Sequence, residues 1–160
     1  MQIRSAETAG FCFGVERAVS LAEQTAKSCA SAVTLGPIIH NRHVVERFEA
    51  MGLREIASAE DAQPGQTVVI RAHGIPVSEQ QTLAARGAKL VDATCPFVKK
   101  IHVIARQAEE AGRHLLIIGT PTHPEVTAIA SYSSDAHVFQ TAEALESWLT
   151  EAPGRRELPF

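Results

Sequence analysis

The chain repeats itself once, at an interval of 83 residues. Residues that carry geometry or chemistry recur at this interval: Cys12 and Cys95, Gly36 and Gly119, and His40 and His123. The two stretches of 29 residues that begin at the cysteines match at six positions without a gap, where background frequencies give about two. The repeat predicts two copies of one structural unit, with a cysteine, a glycine and a histidine at equivalent positions.

Each copy is predicted to contain, in order, a strand, a cysteine, a helix, a second strand, Gly-x-x-x-His and another helix. Short apolar runs such as TVVIRA and HLLIIG alternate with helix-period segments such as VERAVSLAEQTA. This alternation is typical of a parallel sheet covered by helices. We therefore predict an α/β fold of repeated lobes with mainly parallel sheets, arranged pseudo-symmetrically around a central site. The first lobe is expected over residues 13–95 and the second over residues 96–160.

Charge and hydropathy exclude several classes of protein. The 15 Lys and Arg residues are scattered among 18 Asp and Glu residues, so we expect no binding to nucleic acid or to an acidic membrane surface. No apolar stretch approaches the roughly 20 residues of a membrane span, and MQIRSAETAG lacks the apolar core of a signal peptide. We expect a cytoplasmic protein. In a reducing compartment, the odd number of cysteines, which is three, indicates thiols or metal ligands rather than disulfides.

Two of the three cysteines stand where a helix is predicted to begin. The partial positive charge of a helix N-terminus favours the thiolate of Cys12 and Cys95, which is the form that binds a metal or attacks an electrophile. Cys29 aligns with Gly112 and is predicted to be a packing residue. Two thiolates so far apart do not resemble a zinc ribbon, and an iron–sulfur cluster takes three or four. Extending the repeat places a third equivalent cysteine beyond residue 160.

Three histidines follow predicted strands in the same way. His40, His73 and His123 lie in GPIIHN, IRAHGIP and GTPTHPEV, and the carboxyl ends of parallel strands meet at one edge of a sheet, where ligands bind. The three imidazoles are suited to an anion such as a diphosphate, and a three-histidine zinc site is the alternative. Glu125 is either a first-turn glutamate that complements the helix dipole or a proton donor.

Five motifs together resemble a known family. In order and spacing, AGFCFGVERAV, LGPIIHNRHVVERFEAMG, VVIRAHGIP, VDATCPFVKKIH and HPEV resemble the 4-hydroxy-3-methylbut-2-enyl diphosphate reductase (LytB) family over about residues 3–141. The resemblance implies three α/β lobes around a central iron–sulfur cluster of the 4Fe–4S type, held by three cysteines. It implies reductive removal of the substrate's hydroxyl, giving isopentenyl and dimethylallyl diphosphate in the last step of the non-mevalonate isoprenoid pathway.

Position by position, the resemblance assigns roles to six residues. They comprise two cluster ligands, three residues that bind the isoprenoid diphosphate substrate and one acid that protonates the leaving hydroxyl: Cys12 and Cys95; His40, His73 and His123; and Glu125. The family also implies ferredoxin or flavodoxin as the electron donor. One departure is TPTHPEV, because the family usually has a glycine immediately before this histidine.

The same resemblance implies that part of the reductase is absent from residues 1–160. The family's third lobe supplies the third cysteine ligand and further residues that bind diphosphate, and residues 1–12 are expected to form a strand that packs with it. The chain is then either a fragment of a complete enzyme or a truncated homologue. Activity of the isolated chain does not follow from the resemblance. The alternatives are a non-catalytic α/β module that binds an anion without a stable cluster, and a zinc-dependent hydrolase.

Overall fold

A computed structural model describes residues 2–7, 9–151 and 159 of the chain. Within them the helices are α1 (Phe13–Ser28), α2 (Arg42–Ala50), α3 (Val77–Ala85), α4 (Pro96–Glu110), α5 (Pro124–Ala130) and α6 (Ala142–Glu151). The strands are β1 (Val33–Leu35), β2 (Arg54–Ile56), β3 (Thr67–Ile70), β4 (Lys89–Asp92), β5 (Leu115–Ile118) and β6 (Ala136–Phe139), and a short 3-10 helix spans Ala59–Asp61. Strands and helices alternate along most of the chain, as the sequence pattern predicts.

The strands form two parallel sheets. The first has the order β2-β1-β3-β4, and the second pairs β5 with β6. In the first sheet Val33 pairs with Val68 and Leu35 with Ile70, so β1 and β3 form its centre. The predicted α/β fold with parallel sheets is thereby confirmed. The division of the chain at residues 95 and 96 stays a proposal, and the two sheets lie on either side of it.

The core of the first lobe lies on both faces of its sheet. Because successive side chains of a strand point to opposite faces, Val69 packs with residues of α1 and α2, whereas Val68 and Ile70 pack on the other face. Buried side chains include Phe48 and Val69 on one face, and on the other Leu35, Val68, Ile75 and Leu83. Helices therefore cover both faces, and the carboxyl ends of β1 and β3 are held in a fixed position.

Two hydrogen bonds connect the second lobe to α3. The backbone N–H of Val77 donates to Ser131 Oγ at 3.0 Å, and Gln80 Nε2 donates to the hydroxyl of Tyr132 at 2.9 Å. The ring of His102, in α4, stacks on the ring of Tyr132 with 4.6 Å between centroids. The end of α5 is thus attached both to α3 and to α4, and this attachment positions the second lobe against the first.

The two longest helices differ in how much of their apolar surface is covered. In α1, Ala18 and Ala22 are fully buried against the first sheet. In α4 the equivalent stripe is partly open, with Ile101 42% and Ile104 48% exposed. No helix within the described ranges has both the length and the apolar character needed to cross a membrane.

The described residues before α1 form no strand. Residues 2–7 and 9–12 are almost entirely exposed, including Ile3 at 84%. A strand needs a neighbour for its backbone N–H and C=O groups, and no such neighbour is described for this segment. The strand expected over residues 1–12, and its packing with a third lobe, remain predictions.

Candidate functional site

Cys12 and Cys95 occupy the same position relative to their helices. Each is the N-cap of its helix, α1 or α4, and within the described part of the chain neither side chain makes a capping hydrogen bond. Pro96 fills the first position of α4, where its missing N–H costs nothing. Cys12 is exposed, Cys95 is half-buried, and both are free thiols. Both sulfur atoms are therefore available to a ligand at the positive end of a long helix.

The beginning of α1 lies directly against Cys95. A Cβ atom built on Gly14 would lie 2.4 Å from Cys95 Sγ, closer than any real contact. A second contact joins the same segments, because Arg17 Nη1 donates to the carbonyl oxygen of Thr94 at 3.2 Å. The fold thus brings the two cysteine-bearing helix starts together. Gly14 and Arg17 were not singled out from the sequence, because neither the period nor the residue type indicates a contact across the repeat.

This contact gives a stability prediction. We expect Gly14→Ala to lower the free energy of unfolding by about 1–3 kcal/mol through overpacking, although alanine normally favours a helix over glycine by about 1 kcal/mol. In a Cys95→Ala background the loss should shrink, since Sγ is gone and the remaining Cβ would lie 3.1 Å away. Urea unfolding measures both values. Ser20→Ala, exposed on α1, is the control, and stabilisation by Gly14→Ala in both backgrounds would contradict the contact.

The three predicted histidines form one cluster. The ring centroids of His40 and His73 lie 5.1 Å apart, and those of His73 and His123 lie 5.5 Å apart. His40 follows β1, His73 follows β3 and His123 follows β5, so the cluster draws on the carboxyl ends of strands from both sheets. His40 and His123 are exposed and His73 is half-buried. The cluster therefore presents imidazoles to a ligand at the join between the lobes.

A cavity of about 280 Å³ lies beside this cluster. Its lining includes His40 and His73, together with Phe11, which precedes Cys12, and Val15 of α1. Ile39, Asn41 and Ala72 complete the lining. Two of the three imidazoles and the beginning of α1 thus border one space.

Hydrogen bonding fixes how His123 faces its surroundings. Nδ1 of His123 accepts the backbone N–H of Glu125 at 3.2 Å. Since that nitrogen is an acceptor, the neutral ring carries its proton on Nε2 and can donate it outward. Thr127 Oγ1 donates to the carbonyl oxygens of Pro121 and His123, at 3.2 and 3.1 Å. The turn is therefore held by Thr127, a residue that sequence reasoning missed.

Burial lowers the pKa of His73 below its ordinary value, and the neighbouring charges of His40, His123 and Arg71 act in the same direction. Its Nδ1 is buried and has no hydrogen-bond partner among the described residues. A bound anion would oppose both the desolvation and the repulsion between imidazolium groups. His73 is thus placed to gain a proton when an anion binds.

The lowered pKa predicts a dependence of stability on pH. Between the ordinary histidine pKa of about 6.5 and the lower value in the fold, the unfolded chain binds more protons than the native one. The free energy of unfolding should therefore fall as pH drops below about 6.5. Burial lowers the pKa of His102 as well, so His73→Gln should reduce the slope and not abolish it. Urea unfolding at several pH values measures the slope, with His43→Gln, on an exposed ring, as control.

Glu125 lies in the first turn of α5, two residues beyond His123, and its side chain is half-buried. Its backbone N–H is bonded to the histidine ring, which ties the glutamate to the cluster through the main chain. This placement suits both of the roles considered for it, because the first turn of a helix and the edge of the cluster coincide here.

The donor set can be tested against an iron–sulfur cluster. Cys12 and Cys95 are uncommitted thiols at converging helix starts, and they fit as two ligands. Cys29 ends α1, so about 24 Å of helix separates it from Cys12, and its Sγ is hydrogen-bonded to Thr67 Oγ1 at 3.3 Å. That bond and those to Ser31 lower the pKa of the Cys29 thiol. The described residues thus offer two thiols that suit such a cluster, and Cys29 is not placed with them.

The three-histidine zinc alternative fits less well. Among the described residues, one group of three ligand atoms lies mutually within 4.8 Å, and it consists of His114, Asp135 and His137. His40, His73 and His123 do not form such a group, although their rings are neighbours. The cluster therefore favours an extended anion over a single metal ion.

Comparison with known proteins identifies the family. The LytB protein family matches residues 3–155. Curated relatives named 4-hydroxy-3-methylbut-2-enyl diphosphate reductase include one from Solidesulfovibrio magneticus (44% identity over 153 residues, 91% of this chain and 54% of the relative). Another is from Oleidesulfovibrio alaskensis (47% over 150 residues, 92% and 53%). The chain spans about half the length of these relatives.

Solved structures give the same result. A structure of (E)-4-hydroxy-3-methyl-but-2-enyl diphosphate reductase superimposes with a TM-score of 0.74 at 41% identity, covering 88% of this chain and 53% of that one. The structure of the E-1-hydroxy-2-methyl-but-2-enyl-4-diphosphate reductase from Plasmodium falciparum gives a TM-score of 0.81 at 26% identity, covering 88% and 45%. The similarity therefore extends from sequence to fold.

Proposed function

This chain belongs to the LytB protein family, and we propose on that basis that it carries part of the active site of a 4-hydroxy-3-methylbut-2-enyl diphosphate reductase. The observation that carries the proposal is that three clustered imidazoles lie beside the start of α1, which follows Cys12 and itself contacts Cys95. The reaction would remove the hydroxyl of the substrate and give isopentenyl and dimethylallyl diphosphate. Because the relatives are about twice as long, the proposed enzyme includes polypeptide besides these residues.

The histidine cluster would bind the diphosphate. His123 directs Nε2–H outward because its Nδ1 is already bonded, and His40 and His73 present their rings beside it. Hydrogen bonds from imidazole to a charged oxygen are stronger than those between neutral groups. Binding would also raise the lowered pKa of His73, so the cluster would gain positive charge as the diphosphate enters. One end of the substrate would thereby be fixed while its hydroxyl reaches the thiol side.

Cys12 and Cys95 would hold the iron–sulfur cluster as thiolates, stabilised by the N-termini of α1 and α4. Such a cluster supplies electrons one at a time, two for each substrate reduced. The close contact of Gly14 with Cys95 keeps the two helix starts at a fixed separation. Ferredoxin or flavodoxin would be the electron donor.

Glu125 would supply a proton to the leaving hydroxyl. Reductive removal of a hydroxyl consumes two electrons and two protons, of which one leaves in water and one ends on carbon. A carboxyl group two residues from His123 is suited to deliver such a proton. Its main-chain bond to His123 would keep the acid in register with the bound diphosphate.

A chimera tests the proposal. The chain is joined to the remaining half of the Solidesulfovibrio magneticus relative, and both the chain alone and the chimera are reconstituted anaerobically with iron and sulfide. We expect little stable visible absorbance from the chain alone. The chimera should gain the absorbance of a cluster and reduce 4-hydroxy-3-methylbut-2-enyl diphosphate with a chemical reductant.

Other outcomes identify the alternatives. A folded chimera that binds inorganic diphosphate but takes up no iron would favour the non-catalytic anion-binding module. Stoichiometric zinc at the three-histidine cluster, with no iron in either protein, would favour the hydrolase and contradict the proposal.

A further inference from the structure

A second group of ligand atoms lies at the opposite edge of the second sheet. His114 precedes β5, Asp135 precedes β6, and His137 is the second residue of β6. Leu115 pairs with Ala136, and the N–H of Leu115 donates to the carbonyl oxygen of Asp135 at 3.1 Å. The group therefore lies at the amino ends of the strands, whereas His123 of the histidine cluster lies beyond the carboxyl end of β5.

The carboxylate of Asp135 lies between the two imidazoles. Its Oδ2 is 2.6 Å from His114 Nδ1, and its Oδ1 is 2.7 Å from His137 Nε2. The three ligand atoms lie within 4.8 Å of one another. The side chains are 21% (His114), 48% (Asp135) and 34% (His137) exposed, so an ion from solvent can reach them without a rearrangement of the core.

We propose that His114, Asp135 and His137 form a binding site for a divalent transition metal of the zinc class. Two imidazoles and one carboxylate are a ligand set that such ions accept, with the remaining positions filled by water. Zinc–nitrogen and zinc–oxygen distances are about 2.0–2.2 Å. To admit an ion at these distances, the carboxylate and the imidazoles would move apart by less than about 1 Å.

Packing around the ligands favours this arrangement. The ring of His137 lies 4.7 Å from that of Trp148 and 6.5 Å from that of Phe139, between centroids. Aromatic neighbours restrict the imidazole and exclude water from one side, as the outer shells of metal sites do. The backbone N–H of His114 donates to the carbonyl oxygen of Pro159 at 2.9 Å, which fixes the main chain at this ligand.

Cobalt titration tests the site, because a d-electron ion reports its ligands by absorption. The chain carries Cys12→Ser, Cys29→Ser and Cys95→Ser, so thiolate ligation and its near-ultraviolet charge-transfer band are removed. We expect one equivalent of cobalt to bind with weak visible bands, and zinc to displace it. Asp135→Asn and His137→Ala should each weaken binding by at least about tenfold, since losing even a partner of a ligand costs about 10- to 100-fold.

Matched controls separate this site from other imidazoles. His43→Ala removes an exposed histidine that also neighbours a carboxylate, at 3.9 Å from Glu46, and it should leave the affinity unchanged. His73→Ala, which removes a residue of the histidine cluster, should likewise leave the affinity for cobalt unchanged. Circular dichroism and thermal unfolding confirm that each variant folds, and zinc should raise the unfolding midpoint of the parent but not that of Asp135→Asn. Absence of saturable binding, or binding that Asp135→Asn leaves unchanged, would overturn the proposal.

Discussion

Cys95→Ser is expected to abolish reductase activity in the chimera and to remove most of its cluster iron. Serine keeps the size of the side chain, but its hydroxyl does not ionise near neutral pH and is a poor ligand for iron–sulfur clusters. Cys95 lies against the start of α1, so losing this ligand would leave Cys12 as the one thiolate that the described residues bring to the cluster. Iron content, visible absorbance and turnover are measured on the same preparation.

Cys29→Ser is the matched control for this experiment. Cys29 ends the helix that Cys12 begins, and its Sγ is bonded to Thr67. We expect this variant to retain iron and activity, with at most a modest loss of stability. Equal losses in Cys29→Ser and Cys95→Ser would contradict the assignment of the cluster ligands, because they would indicate a general sensitivity to thiol removal.

Glu125→Gln is expected to lower kcat of the chimera by about 10²- to 10⁴-fold, which is the usual contribution of a general acid. The amide keeps the shape of the side chain but cannot deliver a proton to the leaving hydroxyl. KM should change little, because in the proposed site the histidine cluster, and not this carboxylate, would hold the diphosphate. Steady-state kinetics with a chemical reductant measure both constants.

Glu143→Gln controls for the loss of charge at a helix start. Glu143 is the second residue of α6, as Glu125 is of α5, and both substitutions remove a first-turn carboxylate that complements the helix dipole. We expect full activity from Glu143→Gln. A similar fall in kcat for both variants would show that Glu125 acts through stability, and a rise in KM alone would place it in substrate binding.

The sequence predicted most of the elements because most of them carry a strong periodic signal. The runs TVVIRA and HLLIIG became β3 and β5, and the segments after both cysteines became α1 and α4. It did not predict β2 or β6. Arg54–Ile56 forms a short edge strand whose side chains are largely exposed, so burial imposes no apolar pattern on it. The strand β6 pairs with a single strand, and its residues are only partly buried. Burial therefore imposes no strong apolar pattern on β6 either.

The sequence by itself determined which residues stand at strand-to-helix junctions, because strand and helix periods and the repeat are local properties of the chain. That information placed Cys12, Cys95, His40, His73 and His123 at equivalent junctions. Only the tertiary structure decided which junctions meet. The contact of Gly14 with Cys95, the spacing of the three imidazoles and the pairing of Asp135 with His114 all join separate segments of the chain. Such distances are set by how the crossovers and the two sheets pack, and no local pattern records them.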